Sequence, residues 1–131
     1  MILKYKDELN KLPNCPLVND ENTIKVYRWS ANDPIQESDF LPLALEEPKR
    51  NFPEDKICLS WGVSTHNTIT ATKNAIRIFS KKKRDRMKTI YSIEIDKTLA
   101  LKHQSGCDKN HYTVYQYENI DIIGKFSQEI I

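Results

Sequence analysis

Glycine is scarce in this 131-residue chain, with only three present. That excludes a glycine-rich phosphate cradle, and neither G-x-G-x-x-G nor G-x-x-x-x-G-K-[ST] occurs. No apolar run approaches the roughly 18 residues of a membrane helix, and MILKYKDELNKLP holds too many acids for a secretory leader. The expectation is a cytoplasmic protein without a membrane partner. A large charge excess is missing as well, and a net charge of +2 names no partner. Cys15, Cys58 and Cys107 form no C-x-x-C pair, and His66, His103 and His111 are not spaced with them as zinc ligands. No metal is therefore expected, and the thiols are expected to be reduced, with Cys58 in the core.

What is present suits one compact domain. Hydrophobic residues make up 39% and charged ones 29%, ordinary for a globular protein with a single core. TIKVYRW, residues 23–29, alternates as a strand and puts Arg28 on the face of Ile24 and Val26. An inward arginine needs a carboxylate or an anion, because unpaired burial is costly. KTIYSIEID (88–96) alternates too, with Tyr91, Ile93 and Ile95 inward. HYTVYQY (111–117) is a further strand, residues 99–102 a weaker one, and IDIIGKF (120–126) a last apolar strand. KICLSW (56–61) reads as a buried strand ending at Gly62, which allows a tight turn or close backbone approach.

From Asn67 the period changes. Ala71, Ala75, Ile78 and Phe79 recur at helical spacing and predict a helix to about Lys83. A short helix over residues 4–12 stops before Pro13, and residues 30–55 form a long proline-rich loop with at most one helical turn. One firm helix among several strands gives an α+β domain with a mixed or mainly antiparallel sheet.

Two functions are open to the segment CLSWGVSTHN. Ser64, Thr65 or Asn67 suits the N-cap of the helix. The chemical alternative follows from chain order: Arg28 on an early strand, Ser64 and Thr65 at a strand-to-helix junction, Glu118 before the last strand. This order resembles that of small bacterial ADP-ribosyltransferase-like proteins. The family's usual S-T-S is Ser64-Thr65-His66 here, and its Q-x-E is Gln116-x-Glu118. The resemblance implies that Arg28 holds the phosphates or ribose of NAD and that Ser64 and Thr65 support the nicotinamide pocket. It implies further that Glu118 orients the ribose as the glycosidic bond breaks, giving a transferase or an NAD glycohydrolase. Aromatics such as Trp29, Trp61, Tyr112 or Tyr115 would then stack on the bases.

Two further features point to other functions. His111 begins a strand after a polar turn and suits acid–base work, with Arg28 or Asp39 as partner in phosphoryl chemistry. KKKRDRMK contains Lys81, Lys82, Lys83, Arg84 and Arg86, a basic segment fitted either to solvent or to a protein or nucleic-acid partner of a noncatalytic binding module.

Overall fold

A computed structural model describes residues 2–17 and 20–130. The chain runs through α1 (Lys6–Leu9), β1 (Ile24–Ser30), α2 (Leu43–Glu46), α3 (Ile57–Ser60), β2 (Val63–His66), α4 (Ile69–Ala75), α5 (Lys81–Arg86), β3 (Thr89–Ile95), β4 (Ala100–Gln104), β5 (His111–Gln116) and β6 (Ser127–Glu129). Short 3-10 turns lie at Glu37–Asp39, Glu54–Lys56, Ile76–Ile78 and Ile123–Lys125. The strands form one six-stranded sheet, order β4-β5-β2-β1-β3-β6, with every neighbouring pair antiparallel. This is the mainly antiparallel α+β domain that the alternating segments predict.

Because side chains alternate across a sheet, each strand contributes to both faces. One face is apolar: Val26, Val63, Ile93, Ile95, Ala100, Tyr112 and Val114 are buried there with Phe40 and Ile122. The other carries a polar row beside Trp29, Ile90 and Tyr115: His111 pairs with His66, His66 with Tyr27, Tyr27 with Ser92, and Ser92 with Ser127. A row of polar side chains thus crosses five strands. The ladder is unequal, however. β1 and β3 are in register at every position from Ile24 to Ser30, whereas β1 meets β2 only at Tyr27 and His66, so beyond that pair the two strands part.

Several sequence expectations give way to tertiary context. KICLSW is helical, a 3-10 turn and then α3, and the strand begins only after Gly62. A short apolar run does not distinguish strand from helix, and Pro53-Glu54-Asp55 ahead of it is a helix-start signature. Gly62 permits close approach: a Cβ there would lie 2.2 Å from Cγ2 of Thr113. The thiols are not all reduced, because Cys15 and Cys58 form a disulfide. Cys58 also lies against Tyr115, whose hydroxyl donates to the Cys58 carbonyl at 3.2 Å and whose phenol burial pushes up to about 12.

The single helix expected over residues 67–83 is broken. α4 passes into a 3-10 turn, Phe79 turns extended, and Ser80 caps the separate α5 through Lys83 N–H. Ile78, assigned to an apolar helix face, is 86% exposed. The cap of α4 is Thr68, whose hydroxyl accepts from Ala71 N–H; Ser64 and Thr65 remain in the strand. IDIIGKF is not a strand either: Ile123–Lys125 is a 3-10 turn and pairing resumes at Ser127. The proline-rich loop holds α2 and two 3-10 turns rather than one turn, and the N-terminal helix shrinks to Lys6–Leu9.

Candidate functional site

The site forms where β1 and β2 part. Arg28 points inward there, as its parity predicts, and each of its three guanidinium nitrogens donates one hydrogen bond. Its Nε donates to the Asp39 carbonyl at 2.8 Å, Nη1 to the Ser64 carbonyl at 2.7 Å, and Nη2 to the Glu46 carboxylate at 3.0 Å. A guanidinium N–H therefore satisfies a strand carbonyl beyond the single β1–β2 pair. Burial presses the Arg28 pKa down, opposed by the charges of Glu46 and then Asp39, and the group stays a cation. Glu46 also receives Lys83 at 3.4 Å, tying the basic helix α5 to the same carboxylate.

Ser64 turns its hydroxyl to the polar face. Its Oγ lies 2.6 Å from Nε2 of His111 on the neighbouring strand. On the far side of the ring, Nδ1 lies 2.7 Å from Ser105 Oγ, and Ser105 Oγ lies 2.8 Å from Thr113 Oγ1. Burial holds His111 below the ordinary histidine value, the Ser105 backbone and Asp108 oppose this, and Arg28 adds to it. A neutral imidazole has one donor and one acceptor nitrogen. With the proton on Nδ1, that nitrogen donates to Ser105 Oγ and Nε2 accepts from Ser64. The hydrogens then run one way, from Ser64 through His111 and Ser105 to Thr113: a nucleophile or ligand hydroxyl, a base and an orienting group.

His66 stands edge-on to His111, ring centroids 5.2 Å apart, with Nε2 3.9 Å from the Asp108 carboxylate. Burial lowers its pKa, and the neighbouring His111 lowers it further. Next to it, Asn67 Oδ1 is buried without a hydrogen-bond partner. A buried acceptor without a partner is uncommon.

Of the residues expected in a site, Arg28, Ser64 and His111 come together, though His111 engages Ser64 rather than Asp39. Asp39 is occupied: its carboxylate accepts from Ala31 N, Asn32 Nδ2 and Gln36 N and so shapes the loop that offers its carbonyl to Arg28. Thr65 and Tyr115 are buried, with the Thr65 hydroxyl donating to the Tyr112 carbonyl. Glu118 lies past the far end of β5, where its N–H donates to the Ile2 carbonyl beside Lys4, Glu37 and Asn119. At about 3.3 Å per residue, roughly 16 Å of chain separates it from Thr113. Trp29 donates from its indole to the Thr72 carbonyl, docking α4 on the polar face, and Trp61 packs on Tyr5.

Glu46, Ser105, Thr113 and Asp108 are the members that sequence reading misses. Ser105 and Thr113 had one legible signal: HQSGCDKNHYT is a turn flanked by polar residues, which a hairpin returns to neighbouring positions. Among the described residues no group of three His, Cys, Asp or Glu side chains is arranged to hold a metal, and no helix is long and apolar enough to cross a membrane. No protein-family model, curated protein or solved structure matches the chain.

Proposed function

We propose that the Arg28–Ser64–His111 cluster is the active site of an NAD-splitting enzyme of the ADP-ribosyltransferase-like kind. The supporting observation is the double engagement of Ser64, with Arg28 on its carbonyl and His111 on its hydroxyl. Arg28 is a cation at the strand gap, and a guanidinium fork suits a pyrophosphate; binding there would exchange Glu46 for phosphate, leaving Glu46 to Lys83. Breaking the nicotinamide–ribose bond develops positive charge on the sugar, and Asp108, beside His66, is the carboxylate that would stabilise it. His111, neutral and with Nε2 as acceptor, takes the proton of the attacking hydroxyl or water while nicotinamide leaves with the bonding electrons. Ser64 Oγ, 2.6 Å from Nε2, orients the imidazole until that hydroxyl takes its place.

NAD should raise the melting temperature by mass action, and free nicotinamide should accumulate, measured by chromatography. His111→Gln should lower turnover by about 10²-fold or more while NAD still stabilises the protein, and Arg28→Lys should weaken the NAD-induced shift. Neither stabilisation nor nicotinamide release by the intact protein would overturn the proposal.

A further inference from the structure

Charge is segregated in this molecule, and the segregation stands apart from the strand-gap chemistry. Between residues 73 and 88 there are eight cations, Lys73, Arg77, Lys81, Lys82, Lys83, Arg84, Arg86 and Lys88, against the single acid Asp85. That segment carries +7, so in a chain of net +2 the remainder carries −5. All eight cations except Lys83 are exposed, on α4, the turn after it, α5 and the link from α5 to β3. Among the described residues two acids neutralise any of them: Asp85 meets Lys81 at 3.2 Å, and Glu46 meets Lys83 at 3.4 Å. The fold also strains its own electrostatics here, because Ser80 caps α5 so that Lys81, Lys82 and Lys83 occupy its first turn, where a helix favours acids.

We propose that this ridge binds the phosphate backbone of a nucleic acid. The chemistry of the surface separates that partner from others. A protein hot spot needs aromatic anchors in a desolvated centre, and an interfacial membrane helix needs a broad apolar face. Here the one large apolar side chain exposed among the cations is Ile78, while Phe79 lies beneath the Lys83 ammonium at 4.4 Å. A dense set of cations with almost no apolar content matches a regularly spaced row of anions. Among the described residues no exposed aromatic platform accompanies them, so contact is with the backbone and independent of base sequence.

The test is fluorescence anisotropy with two labelled oligonucleotides of unrelated sequence, using the full chain. If about four cations reach phosphates, log K falls against log salt with a slope near −4, roughly a hundredfold loss between about 50 and 200 mM. The two sequences should bind within about threefold of each other. Lys82→Glu with Arg84→Glu should weaken binding at least tenfold, and the milder Lys82→Gln with Arg84→Gln should reduce the slope by about two. Thermal melts of both variants, and their nicotinamide release, show that folding and the strand-gap site are intact. No binding by the intact protein, a flat salt response, indifference to all four substitutions, or tighter binding to poly-glutamate or anionic vesicles would overturn the proposal.

Discussion

The two faces of the sheet are built from the same strands yet held by different forces. On one, Val26, Val63, Ile93, Ile95 and Val114 bury apolar surface against Phe40 and Ile122. On the other, hydroxyls and imidazoles answer one another across strands, and a disulfide closes over Tyr115. Apolar burial is non-directional and depends mainly on area. The polar network depends on distance and on proton position, and fails if one member is misplaced. Apolar burial therefore dominates the first face, and the chemistry lies on the second. Arg28 crosses between them: its parity assigns it to the apolar face, and the parting of β1 from β2 brings its guanidinium to the Ser64 carbonyl.

That division can be broken most forcefully at the disulfide. Cys15 and Cys58 close a loop with a sequence separation of 43, and the chain-entropy model assigns such a link about 4 kcal/mol. Cys15→Ser with Cys58→Ser should lower the denaturation midpoint accordingly, and reductant should do the same to the parent protein. Equal midpoints with and without reductant would mean that the polar face holds without a covalent tie.

Next in size is the apolar face. Ile95 is fully buried, so Ile95→Ala should cost about 3 kcal/mol by urea denaturation. The surviving folded fraction should keep its normal affinity for NAD. A change in affinity larger than the change in folded fraction would show that the two faces are coupled.

Acid should act on the polar face through its histidines. His66 and His111 both have folded pKa values below the ordinary histidine value of 6.5, burial being the main cause. A group depressed on folding contributes stability that is complete above its unfolded pKa and lost as pH falls through the folded one. Stability should hold above about pH 6.5 and decline below it, and His111→Gln should flatten that decline. A parent and variant with identical acid profiles would remove His111 from the account.

The smallest stability effect belongs to Ser64→Ala. Ser64 is exposed, and its loss should change stability by at most about 1 kcal/mol. It should nonetheless depress nicotinamide release. Unchanged release would separate Ser64 from the chemistry and leave Arg28 and His111 as the minimal pair.

How much of this was legible in the sequence depends on the range of the interaction. Strict alternation identified β1, β3 and β5, because a period of two is written locally in the side chains. The same parity put Arg28 inward. Local signals failed where a distant partner decided the outcome. Cys58 became half of a disulfide through a cysteine at the other end of a loop. The helix beginning near Asn67 broke at Phe79 although its apolar spacing continued, and Lys83 was drawn to Glu46 and to the Phe79 ring.

By itself, the sequence determined the α+β class, the strand faces and the presence of Arg28, Ser64 and His111 on strands or at their ends. Tertiary structure alone decided which of them meet. The antiparallel register of β2 on β5 sets His66 against His111 and Ser64 against Thr113, one hydrogen-bond length from the imidazole. It also left Glu118 past the opposite end of β5. Side-chain parity is a property of a few adjacent residues, whereas register between strands depends on the whole core that packs them.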